Sequence, residues 1–297
     1  MKKKVLSILM ISAMIVACQK TELKEAVSED SSLNQLNALS QDYMNDHRVA
    51  GDQDRADGKW RRIIAADLTG ALAGGATGGA VGALAGPGGV GVGALIGGVL
   101  GGAAASLNAA DDEGGMAPGG LAGFYEPIYE IDLGGLTGNT DNPFNHIGYH
   151  HYLSITNHVI TVEGEVSTDM SAFYAETSDH IVEEFSPEYE IESIYTLADC
   201  EATVEGTVGL ENFATEVQEL YDAEEISSTV HTILTTYAEV FDATEQEDLE
   251  DFVVYSVSAE NIVNSDRRIN DLDKQLILGT MATSRYGAQF WDFFITE

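Results

Sequence analysis

Four histidines crowd the stretch Asn142 to Ile160: His146, His150, His151 and His158. His146 and His150 stand at i and i+4, which on a helix puts two imidazoles on one face, where a third ligand would complete a zinc site. They are the metal candidates of the chain, and weak ones. No glutamate sits between them as in H-E-x-x-H, and the plainer reading is histidines satisfied by hydrogen bonds in acidic surroundings, which favour the charged form. The remaining chemistry is sparse. Of the two cysteines, Cys18 closes an apolar run and Cys200 stands alone, with no histidine near it in sequence to activate a thiolate. There is no calcium loop, no nucleophile elbow and no G-x-x-x-x-G-K-[ST] phosphate loop. Carboxylate runs such as Glu245, Glu247, Asp248, Glu250 and Asp251 read as a solvated helix face with weak cation binding. The sequence predicts no catalytic residue, no cofactor and no enzyme.

The elements that would position these residues divide by charge. Residues 1–110 carry ten basic and ten acidic side chains, whereas 111–297 carry four and thirty-nine, for a net charge of −35. No Lys or Arg occurs between Arg62 and Arg267. Such a surface repels phosphate backbones, so nucleic acid is excluded as a partner, and salt-dependent stability is expected. With 44% hydrophobic residues, 297 residues still supply a core.

Met1-Lys2-Lys3-Lys4 and the apolar run Val5 to Ala17 form the charged and hydrophobic regions of a secretory signal, too short for a membrane span. The run ends Ile15-Val16-Ala17-Cys18, which resembles the lipobox of bacterial lipoproteins. The resemblance implies cleavage before Cys18 and lipidation of its thiol, with each buried acyl CH₂ contributing roughly 0.8 kcal/mol to anchoring. Residues 1–17 are then the signal peptide. Residues 18–58, rich in Ser, Asn, Gln and Asp, make a tether with one helix near Ser32 to Met44.

From Leu68 to Ala110 there is no charged side chain. Gly70, Gly74, Gly78 and Gly82 recur every fourth residue, as do Gly89, Gly93, Gly97 and Gly101, and Gly86-Pro87-Gly88-Gly89 interrupts between the two sets. The spacing predicts two helices, about Ile63 to Ala85 and Val90 to Leu107, packed backbone to backbone as a glycine-zipper hairpin. Six glycines at roughly 0.8–1 kcal/mol each cost either helix on the order of 5 kcal/mol of propensity in water. Neither should stand alone there. Three homes are open: a bilayer, where both helices are long enough to cross; the interior of the acidic domain; or a flexible linker with no fixed structure. Trp60, Arg61 and Arg62 at the entrance suit a headgroup layer. The segment resembles the glycine-zipper two-transmembrane region of Gram-negative outer-membrane lipoproteins and, less closely, the glycine-rich helices of two-peptide bacteriocins.

After a Gly-rich connector, residues 111–140, the acidic domain spans 141–297. Helices are predicted from Asn142 to Ile160, Met170 to Phe185, Leu210 to Tyr221, Glu224 to Phe241, Glu245 to Asn264 and Asp271 to Phe294. Ser258, Ser265 and Asp271 are the cap candidates. A small β-hairpin is expected in the β-branched stretch Tyr189 to Val208. NPFNHIGYHH at the domain's start and RYGAQFW in its last helix resemble the ends of an uncharacterised Bacteroidetes-type lipoprotein family, from which this chain departs at His151. That likeness implies an all-helical domain and no activity.

The expectation is a mainly α protein: a glycine-zipper helical hairpin over residues 59–110 that associates with the membrane and oligomerises there, plus an acidic helical bundle outside it, lipid-anchored at Cys18 on the outer membrane and facing periplasm or cell surface. Its role is structural or interactive, with membrane lipid and either copies of itself or an envelope protein as partners. The rivals are a secreted pore-forming protein and a metal-dependent enzyme using His146 and His150.

Overall fold

The computed structural model describes residues 32–47, 59–82, 87–112, 136–161, 170–185, 195–207 and 213–295. They form ten α-helices and, among the described residues, no strand: α1 Ser32–His47, α2 Lys59–Gly82, α3 Pro87–Asp112, α4 Asn145–Thr161, α5 Met170–Phe185, α6 Leu197–Thr207, α7 Phe213–Asp222, α8 Ser228–Ala243, α9 Leu249–Ser265 and α10 Asp271–Ile295. A 3₁₀ turn, Gln246–Asp248, precedes α9. The protein is mainly α. The signal peptide, Cys18, the turn residues 83–86 and most of the connector lie outside the described residues.

Sequence chemistry sets the helix ends. Ser227 caps α8, its hydroxyl accepting from the Val230 N–H at 3.2 Å. Asn270, rather than Asp271, caps α10 by accepting from the Asp273 N–H at 2.9 Å. Ser258 and Ser265 cap no N-terminus; each bonds back to a carbonyl of its own helix, Val254 and Ile262 respectively. Between α7 and α8 the chain reverses through Glu224, at φ 60°, with the Glu225 N–H on the Leu220 carbonyl and the Glu224 N–H on that of Tyr221. This is a Schellman ending with glutamate where glycine is usual.

The small β-hairpin expected over Tyr189 to Val208 is replaced, where described, by α6. Thr196 and Asp199 explain the difference: the Thr196 N–H donates to Asp199 Oδ2 at 2.8 Å and the Asp199 N–H to Thr196 Oγ1 at 3.1 Å. That reciprocal capping box outweighs the modest β preference of Thr203 and Val204.

α2 and α3 lie side by side, and a Cβ on Gly74 would collide with the Gly97 carbonyl oxygen and sit 2.8 Å from its carbon. Gly70 opposes Gly101 and Gly78 opposes Gly93 in the same way. The backbones touch over three successive turns, which any side chain would prevent. Around this pair pack α4, α5, α6, α7 and α10. Ile64, Leu68, Leu72, Ile96, Val99, Leu100 and Leu107 are fully enclosed. One described segment, Val90–Ala109, is long and apolar enough to cross a membrane, and 83% of its hydropathy window is buried inside the fold. α2, which carries Lys59, Arg61, Arg62 and Asp67, does not reach that apolarity.

α10 is the second axis. It is buried on every side from Gln275 to Ala288 and touches α2, α3, α4, α8 and α9. α1 lies on α8 and α9, burying Leu36, Ser40, Tyr43 and Met44 at helical spacing. Thus α1, the hairpin and the later helices share one core, within a unit running from Ser32 to Glu297.

Candidate functional site

The two motifs singled out at the ends of the acidic domain meet where α4 crosses α10. Gly148 makes the crossing possible, since a Cβ there would collide with the Ala282 carbonyl oxygen and lie 2.6 Å from the Tyr286 ring. Asn142 starts α4 from outside, its Oδ1 accepting from the Phe144 N–H at 2.8 Å. Two buried charged clusters flank the crossing.

In the first, Glu260 of α9 and Arg285 of α10 pair at 2.8 Å through Oε1 and Nε, both side chains fully buried. Glu260 Oε2 also accepts from Asn139 and Asn142, each at 2.9 Å, and Oε1 accepts from Ser256 at 3.3 Å. Arg285 Nη2 donates to Asn145 Oδ1 at 2.6 Å, and Nη1 donates to the Thr137 carbonyl. The guanidinium also lies 4.7 Å from the centre of the Tyr286 ring. Every charge here has a partner, the condition under which a buried ion pair is tolerated.

In the second, Asp67 of α2 faces His151 of α4 and Trp291 of α10. Asp67 Oδ1 and His151 Nε2 are 3.2 Å apart, an ion-pair distance without hydrogen-bond alignment, and Trp291 Nε1 donates to Oδ2 at 3.3 Å. Gly287 leaves the space for the carboxylate, because a Cβ there would strike Asp67 Oδ2. Burial pushes the Asp67 carboxyl above its ordinary range, opposed by the neighbouring His151, Ser106 and Trp291 side chains. One carboxylate therefore joins the hairpin to both motif helices.

The residues expected to do chemistry are placed otherwise. His146 is half-buried and His150 is buried, and among the described residues neither joins a set of three metal-ligand side chains. The side chain of His158 lies outside the described residues. Cys200 is fully buried in α6, and burial pushes its thiol up to about 12, as do the charges of Glu201 and Asp199. It is an inert packing residue. Gly70, Gly74, Gly78, Gly93, Gly97 and Gly101 line the α2–α3 seam; Gly82 closes it against Gly93, and Gly89 lies in the first turn of α3.

Among the described residues one three-ligand set does form. His47 ends α1, and its Nε2 lies 3.3 Å from Asp251 Oδ2 of α9. With Asp248 these residues offer donor atoms all within 4.8 Å of one another. Sequence reading missed Asp67, Glu260 and His47 as partners because each meets its counterpart on another helix, Glu260 across 25 residues and His47 across 204. The available signals were Asp67 as the acid just before the uncharged run and Arg285 as the base set among apolar residues of α10.

No family model matches the chain, and no curated protein or solved structure shows a significant likeness to it. Fold and geometry define a class only: a mainly α domain around a glycine-lined hairpin, with fully buried charge clusters.

Proposed function

We propose that the protein is a non-enzymatic lipoprotein of the bacterial envelope, held to the outer membrane by acyl chains on Cys18. Its acidic helical domain encloses its own glycine hairpin and offers an anionic surface to an envelope partner. The observation that supports this best is the closure of the glycine faces on one another, Gly70 on Gly101, Gly74 on Gly97 and Gly78 on Gly93, with the outer faces covered by α4, α6 and α10. Paired glycine backbones need shelter from water, and a protein core supplies it as a bilayer does. The two charged clusters hold helices together at full burial, out of reach of substrate, which favours a binding or structural role over catalysis.

The test is palmitate labelling followed by carbonate washing of membranes. Label is expected in the wild type and absent in Cys18→Ala, and the variant should wash off. A second reading, in which the hairpin enters the bilayer and assembles with copies of itself or opens pores, draws on the apolar length of Val90–Ala109. Retention of Cys18→Ala after washing, or dye release from lipid vesicles by the purified chain, would favour that reading instead.

A further inference from the structure

The chain lacks Lys and Arg between Arg62 and Arg267, so its acidic groups draw few of their counter-charges from within that span. At the end of α1 the fold gathers an imidazole and two carboxylates from opposite ends of the sequence. His47 Nδ1 lies 2.9 Å from the Tyr43 carbonyl oxygen, and the imidazole stacks on the Tyr43 ring at 4.0 Å between centroids and 19° between planes. Tyr43 is itself fixed, its hydroxyl 3.1 Å from Thr244 Oγ1 and its ring against Tyr255. A backbone carbonyl on Nδ1 fixes the ring as it does in metal-bound histidines generally, and leaves Nε2, 3.3 Å from Asp251 Oδ2, as the nitrogen on which a metal would replace a proton. That Nε2 faces Asp248 and Asp251, which start α9, and the Asp248 side chain makes no cap hydrogen bond to that helix. Arg61, the base that α2 brings to the adjoining α8–α9 link, is engaged by the Thr244 carbonyl and by Glu245 at 3.6 Å.

We infer that His47, Asp248 and Asp251 form a binding site for a first-row divalent cation of the zinc class, clamping α1 onto α9. One imidazole nitrogen and two carboxylate oxygens suit zinc, with water completing the shell, whereas calcium prefers an all-oxygen shell. A proton on His47 would need only one carboxylate beside it. The second acid completes a chelating set. Because α1 follows the segment that carries Cys18, the ion would fix the point at which the folded domain meets its tether. This inference does not depend on the proposed function; it needs only the packing of α1 on α9.

The experiment is calorimetric titration of the full chain with Zn²⁺ in excess Mg²⁺, which occupies scattered carboxylates. Tm and amide hydrogen exchange are followed in parallel, and circular dichroism checks that each variant is folded. One equivalent of Zn²⁺ should bind the wild type, raise Tm and slow exchange in α1. His47→Gln and Asp251→Asn should each bind about tenfold or more weakly, and neither should show slowed exchange. Equal binding by wild type and variants would assign the ion to the general acidic surface and overturn the site. Absence of the one-equivalent phase would do the same, leaving His47 as an ordinary ion-pair partner of Asp251.

Discussion

Two seams hold this domain together, and they are built from opposite materials. Between α2 and α3 there are almost no side chains, and backbones meet directly at Gly70, Gly74 and Gly78. Between α4 and α10 the contact is crowded with Tyr152, Tyr286, Phe290 and Trp291 and bordered by charged clusters. The first seam depends on nothing being added, the second on nothing being removed. Asp67 connects them, a hairpin residue whose carboxylate faces His151 of α4 and Trp291 of α10.

That contrast can be broken from either side. The largest effect is expected for Gly74→Leu, where the new side chain meets backbone that cannot rotate away. Loss of ~3 kcal/mol or more is expected, read as loss of the cooperative thermal transition; a melt like that of the wild type would show that the seam can open without cost. Next come Arg285→Met and Glu260→Gln. Each leaves a buried polar group or charge without its partner and should lower urea-unfolding stability by about 3–5 kcal/mol. Combining Arg285→Met with Glu260→Gln should cost less than the two single effects added together.

A smaller effect is expected from pH. Burial raises the folded-state pKa of Asp67, so its contribution to stability is fully present below the ordinary carboxylate range and is lost as pH rises through its folded value. Asp266 has the opposite sign. Hydrogen bonding to Arg268 holds its carboxyl well below the usual range against a small cost of burial, so its contribution is lost as pH falls below roughly 3.9. Urea melts across this range should show Asp67→Asn and Asp266→Asn changing the slope in opposite directions. The smallest effect belongs to Glu224→Gly, which relieves the left-handed residue at the end of α7 and should add about 0.5 kcal/mol.

How legible each seam was in the sequence follows from the same difference. Glycine spacing is local, so the α2–α3 pairing could be read directly, and the apolar rhythms of α5 and α10 fixed their positions to within a residue. What covers the hairpin could not be read, because the spacing that suits a lipid neighbour equally suits a protein one. The polar seam was illegible for another reason. His151 looked like one of four histidines, and nothing local distinguishes it from His146, yet only His151 meets Asp67, through a partner 84 positions earlier. The expected His146 and His150 pair shares α4, but among the described residues no third ligand joins it, and no spacing rule supplies one. His47 lay in what composition marked as a tether, and the apolar stripe Leu36, Tyr43 and Met44 was the clue that this stretch docks.

The position of the hairpin along the chain has a consequence for how the molecule is made. Residues 59–112 leave the ribosome before any of the described helices that surround them, and α10, which touches both hairpin helices, is the last of these to emerge. For most of synthesis the uncharged segment has no sheath, a condition that invites aggregation. A nascent chain halted before Asp271 should therefore remain bound to chaperones, and release should coincide with the arrival of this twenty-five-residue helix.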